Sequence, residues 1–169
     1  EEWNKTFGGS DTDKGNYVEQ TIDGGYLIVG YTDSFGNDSS GVWSTPRDFW
    51  LIKTDSEGNE IWSKTFGGND GDMGAHFSQT MEGGYIFTGA TYTFSRGSAD
   101  IWLIKTDPDG NEEWNKTYGG IDNDYGRCVQ QTKDGGYVII GTTMTFGNGF
   151  HDGWLIKTDP EGNTVPYGE

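Results

Sequence analysis

DFWLIKTDSEGN, residues 48–59, returns as DIWLIKTDPDGN at 100–111 and as DGWLIKTDPEGN at 152–163. Each copy holds a strand and the turn that ends it. In the second copy, Ile101 and Leu103 point one way and Trp102 and Ile104 the other. A run apolar on both sides is a strand lying inside a sheet that is covered on both faces. The turn is equally explicit: Asp107 opens it, Pro108 presets φ and Gly110 supplies the left-handed position.

Working outward, three more strands recur around this one. Strand A reads WNKTF, WSKTF or WNKTY, strand B reads YVEQT, HFSQT or CVQQT, and strand C reads YLIVG, YIFTG or YVIIG. All are rich in aromatic and β-branched residues and are bounded by Gly, Asp or Asn. Asp23-Gly24, Glu82-Gly83 and Asp134-Gly135 mark a tight B–C hairpin. No window carries a helical stripe of useful length. C and the opening strand D are apolar on both faces, whereas A and B mix in polar residues, so A and B are the expected edges. The tryptophan of strand A recurs at Trp3, Trp62 and Trp114, a period of roughly 50 residues. The fold class expected is all-β: β-propeller blades of four antiparallel strands, three repeats per chain. A β-solenoid is the alternative, but its rungs are shorter and lack two tight hairpins per unit.

The 169 residues form one repeat domain with a net charge of −16. Aliphatic residues are few, which taken alone suggests disorder; seven Trp, nine Tyr and nine Phe in strict periodicity overrule that. Strong negative charge argues against nucleic acid as a partner, because phosphate is repelled. It suits solubility, and it also attracts cations. No apolar run approaches the ~18 residues of a membrane span, so no membrane insertion is expected, and no signal peptide is visible. That fits either a cytoplasmic protein or a mature form. Cys128 is the single cysteine, so no internal disulfide forms; it reads as a buried small hydrophobe.

The third unit alone supplies WNKTYGG, DYG, QTKDGGY and WLIKTDPEGN. With these motifs nearly the whole chain resembles a family of extracellular β-propeller repeats of prokaryotic surface proteins, and more loosely kelch repeats. The resemblance implies that B is innermost, that C and D follow, and that A of the next unit is outermost. It also implies an extracellular or cell-surface location. Glycan-degrading activity is sometimes suggested for such repeats, but no local residues here support it.

With A closing the preceding unit, residues 1–9 are an outer strand without a blade. Blade one is then 15–68, blade two 74–120, and blade three 126–169, incomplete. Pro166 stands where the earlier units have tryptophan, which makes TVPYGE a poor fourth strand. The two ends are therefore complementary: Trp3, Lys5 and Phe7 are expected to complete blade three of another copy, giving a two-chain, six-bladed ring. The competing explanation is a piece of a longer multi-blade protein, or of a head-to-tail assembly.

The C–D loops vary most and share a face with the A–B crossings, so binding is expected there. Phe35, Phe94 and Phe146 recur in register as loop plugs or ligand platforms; Trp43, in the insertion of the first loop, is the better candidate for a sugar ring or a surface protein. The crossings carry D-x-D-x-G: Asp11/Asp13, Asp70/Asp72 and Asp122/Asp124. Such pairs can present oxygens to Ca²⁺, or one member can cap the turn; no other cofactor is implied. Gln20, Gln79 and Gln131 recur on the inner strand, where bonds between neighbouring blades are expected. His76 and His151 stand alone, away from metal-ligand spacing. Asn4, Asn37 and Asn115 are glycosylation sequons. No nucleotide or hydrolase fingerprint appears. The expected function is a non-catalytic binding or assembly module. The alternatives are a carbohydrate-active hydrolase or lyase using the loop aspartates, and a structural coat or filament subunit. Catalytic residues would break the symmetry in one unit, yet the aspartates occur in all three.

Overall fold

The recurring WLIKT runs become the third strand of successive sheets in the computed structural model, which describes residues 2–36 and 47–164. The first sheet is β1 (Asp13–Gln20), β2 (Tyr26–Thr32), β3 (Asp48–Thr54) and β4 (Glu60–Phe66), in that order. The second is β5 (Asp72–Gln79), β6 (Tyr85–Thr91), β7 (Asp100–Thr106) and β8 (Glu112–Tyr118). The third has three strands among the described residues: β9 (Asp124–Gln131), β10 (Tyr137–Thr143) and β11 (Asp152–Lys157). Every pairing is antiparallel, and the described residues contain no helix. The order B–C–D–A read from burial holds in both complete sheets.

The first strand of each sheet carries the same irregularity. Register slips between Gly15 and Tyr17 in β1, between Gly74 and His76 in β5, and at the matching place opposite Ile140/Gly141 in β9. One extra residue bends and twists the strand there.

The sheets stack face to face. β5 packs against β1, β2 and β3, and β9 packs against β5, β6 and β7. The first junction is filled by Leu27, Val29, Phe49 and Leu51 from one side and Phe77, Tyr85, Phe87, Trp102 and Ile104 from the other. The second is filled by Ile86, Ile101 and Leu103 against Val129, Tyr137, Ile139 and Ile156. Alternation along each strand therefore sends one set of side chains to the preceding sheet and the other set to the following one. That two-sided demand is why the strand reads as continuously apolar.

The lysine inside the buried strand has a physical role. Lys53 is 3% exposed, and its ammonium reaches Asp23 in the β1–β2 turn at 2.8 Å and the Thr54 carbonyl at 3.0 Å. Hydrogen bonds from Lys53 and Thr21 hold the Asp23 carboxyl down to about 2. Lys157 meets Asp134 in the same way, at 2.9 Å. In the second sheet the turn residue is Glu82, and Lys105 instead takes Glu113 on β8, at 2.7 Å.

The turn after each WLIKT strand docks the preceding unit. Asp107 Oδ1 accepts the backbone N–H of Asp109 and of Asn111, and its Oδ2 accepts the Asn111 side-chain amide. Asn111 Oδ1, aimed by that clamp, accepts from Lys64 of β4 at 3.3 Å. Gly110 has φ +75, and a Cβ there would stand 2.8 Å from the Trp62 ring. Both facts require glycine. Gly110→Ala is expected to lower unfolding free energy by about 1–3 kcal/mol, whereas Gly153→Ala, whose Cβ would meet no atom within 4 Å, is expected to be near neutral in urea unfolding.

Candidate functional site

The A–B crossings and C–D loops share one end of the sheets, as the sequence implies. The residue after each crossing's first glycine-rich step donates to the neighbouring loop: Asp11 N–H to the Ser34 hydroxyl, Asp70 N–H to Thr93 and Asp122 N–H to Thr145. The D-x-D motif splits into two roles. Asp11, Asp70 and Asp122 are exposed. Asp13, Asp72 and Asp124 turn inward and accept the backbone N–H of Gly9, Gly68 and Gly120, together with the hydroxyls of Ser34, Thr93 and Thr145. The inward member is a cap. Among the described residues, no three His, Cys, Asp or Glu side chains cluster.

The structure pairs these inward aspartates with residues that sequence reasoning did not single out. Asp72 lies against Asp48 and Asp124 against Asp100, across the two sheet junctions. The signal was present in the opening motif itself, whose first letter is that aspartate in all three copies.

Phe35, Phe94 and Phe146 each lie on the tryptophan of their own sheet: Trp50 at 5.7 Å, Trp102 at 5.2 Å and Trp154 at 4.9 Å between ring centroids. They pin the loops and keep a solvent-facing side, with Phe35 and Phe94 both exposed. Trp43 and the sequon at Asn37 lie outside the described residues. Asn115 has its carbonyl oxygen on the Trp102 indole N–H at 3.2 Å.

On the first strands of the three sheets, one repeat position brings Tyr17, His76 and Cys128 together. Tyr17 stacks on His76 at 4.2 Å, the Val129 N–H donates to His76 Nδ1 at 3.5 Å, and Nε2 faces the Cys128 sulfur at 3.7 Å. Burial lowers the histidine's pKa and raises that of the thiol. Cys128 is half-buried rather than buried, and with its pKa raised it is a poor nucleophile. His151 is exposed on its loop. The glutamines bridge sheets: Gln79 accepts the Ile22 N–H at 3.3 Å and Gln131 the Met81 N–H at 2.7 Å. Gln20, on the first sheet, bonds the Gly24 carbonyl of its own turn instead.

The two ends of the row leave uncovered the faces that are buried at the internal junctions. Val18 is 56% exposed, whereas its repeat equivalents Phe77 and Val129 are 1% and 0%. At the other end Leu155 is 67% exposed, against 0% for Leu51 and Leu103, and Ile140 is 43% exposed against 0% for Val29. One end thus presents the face that elsewhere receives a preceding sheet; the other presents the face that elsewhere receives a following one.

The N-terminal segment already sits on the first of these faces. Among the described residues, 2–9 form no strand. Trp3 meets Tyr26 edge-on at 5.8 Å, as Trp62 meets Tyr85 at 6.4 Å and Trp114 meets Tyr137 at 5.7 Å. Lys5 donates to Asn59 at 3.1 Å, as Lys64 does to Asn111 and Lys116 to Asn163. Trp3 also crowds Gly58 as Trp62 crowds Gly110. Between this segment and the first sheet runs an apolar groove of about 820 Å³, lined by Trp3, Phe7, Val18, Ile28, Trp50 and Ile52. Its far wall is missing where β1–β3 and β5–β7 supply one at the internal junctions. No protein-family model and no curated protein matches the chain.

Proposed function

We propose that the chain is a non-catalytic β-propeller module that associates head to tail with a second copy, three blades from each making a ring of six. The observation that carries this reading is the position of Trp3 and Lys5. They hold the first sheet as the outer strands β4 and β8 hold the second and third, yet have no sheet of their own among the described residues. The third sheet, with three described strands, offers the edge of β11 to a strand of that sequence. An edge that is unpaired among the described residues is a template for strand addition. Docking lays the apolar face of Ile140 and Leu155 into the groove over Val18 and Ile28, building a third core like the two inside the chain. It also gives Gln20 the backbone N–H of Lys133 in the second copy, the equivalent of Ile22 and Met81.

The loop face bearing Phe35, Phe94 and Phe146 stays open in such a ring and is where a glycan or surface protein would bind. The resemblance to extracellular repeats supports display outside the cell. Mass measurement by light scattering after size exclusion tests the assembly: two chains are expected at micromolar concentration. A monomer at all concentrations overturns it, and masses that climb without a plateau replace the ring by an open filament.

A further inference from the structure

At each junction inside the chain, two aspartates from neighbouring sheets meet behind a glycine. Asp100 opens β7 and Asp124 opens β9; they are 1% and 0% exposed. A Cβ at Gly119 would stand 2.2 Å from Asp100 Oδ1 and 2.8 Å from Asp124 Oδ2, so both carboxylates press on one point. Asp48 and Asp72 do the same at Gly67, at 2.1 and 2.8 Å. Asp100 Oδ2 accepts the Arg96 N–H, while Asp124 Oδ2 accepts the Gly120 N–H and the Thr145 hydroxyl. The Oδ1 atoms of Asp100 and Asp124 are buried with no hydrogen-bond partner among the described residues.

Two ionised carboxylates buried against one point repel each other, and the usual resolution is that one keeps its proton and donates it to the other. We propose that each junction holds one such shared proton, and that the open junction takes one up when a second copy docks, so that acid favours association. The first half stands on the chain alone; the second rests on the assembly reading above.

The surroundings agree. Among the described residues, Asp100 and Asp124 also interact with Arg96, exposed on the β6–β7 loop, and with Tyr125, whose phenol burial pushes up to about 12. Asp72 faces Asp48 and the hydroxyls of Thr91 and Thr93. Burial, with the neighbouring carboxylate adding to it, raises both Asp72 and Asp100 above the ordinary carboxylate range. On the open face the sign reverses. Burial also opposes ionisation of Asp13, but hydrogen bonds from Thr32, Gly9 and Ser34 outweigh it and lower its pKa. Asp152, at the other end, accepts the N–H groups of Asn148 and Gly149. Head-to-tail docking sets Asp152 of one copy against Asp13 of the other, as Asp48 is set against Asp72.

A carboxyl whose pKa is raised in the folded or docked state favours that state fully below its free value. The advantage fades as pH climbs from about 4 through the raised value. Asp100→Asn puts an amide N–H where the shared proton sits. Its melting temperature is expected to exceed wild type by about 2–4 °C at pH 8 and to match it near pH 4; Asp72→Asn is the parallel variant. Asp152→Asn is expected to tighten association about tenfold at pH 8 and to flatten its pH dependence. Lower melting temperatures for both Asp72→Asn and Asp100→Asn at pH 8 overturn the shared proton. So does stabilisation of wild type by millimolar calcium that Asp100→Asn removes, because the pair then holds a metal. A dimer equally tight at pH 5 and pH 8 overturns the acid dependence and leaves the ring standing. A monomer at both pH values, with the Asp100→Asn gain intact, removes the ring and the proton taken up on docking but keeps the internal pairs.

Discussion

Trp102→Ala is expected to lower the unfolding free energy by about 3–5 kcal/mol, against about 1–2 kcal/mol for Trp154→Ala, although both tryptophans sit in the same WLIKT motif. Trp102 is 2% exposed. Its ring meets Phe49 of the preceding sheet edge-on at 6.1 Å and supports Phe94 of its own loop, and its indole N–H reaches Asn115 on β8. Removing it opens a cavity in a core that cannot collapse, because strands close it on both sides. A loss of that size is a large share of a domain's total stability. Trp154 also supports its loop phenylalanine, but it stands half-buried on a strand whose neighbours Gly153 and Leu155 are exposed. Urea unfolding at a concentration where the chain is a monomer measures both. Equal losses would mean that burial by the adjoining sheets contributes little and that the motif is stabilised within its own sheet.

That contrast shows what the sequence could convey. Strand identity, order and turns were legible because they depend on local chemistry: alternation, Asp-Gly pairs and the periodic tryptophan. The bridges of Gln79 and Gln131 were legible too, since a polar residue repeated on an edge strand calls for a hydrogen-bond partner. Asp48 and Asp100 were not. Each reads as the polar boundary of an apolar strand, and its importance comes from a second aspartate about 24 residues later that only stacking of the sheets brings near. The unequal burial of identical motifs was equally hidden, because exposure at Val18 or Leu155 follows from which neighbours the row contains. Nor could the motif show that residues 2–9 pair with no strand among the described residues while still gripping the first sheet through Trp3 and Lys5.

Leu155→Lys is expected to weaken association of two copies at least 100-fold while leaving the monomer's unfolding free energy within about 0.5 kcal/mol of wild type. In the monomer Leu155 is 67% exposed, so a lysine there stays in water. In a docked pair it occupies the place that Leu51 and Leu103 fill at the two internal junctions, where both are 0% exposed. Losing a fully buried leucine forfeits about 1.5–3 kcal/mol, and desolvating an unpaired ammonium costs more. Together these exceed the ~2.7 kcal/mol that a hundredfold change in dissociation constant requires. The same substitution at Leu103 should instead unfold the chain, since that junction is internal. Sedimentation equilibrium of Leu155→Lys beside wild type reads the effect directly. An unchanged dimer mass would show that copies meet through some other surface, and the fit between the groove over Val18 and the face of Leu155 would then have no bearing on how this protein assembles.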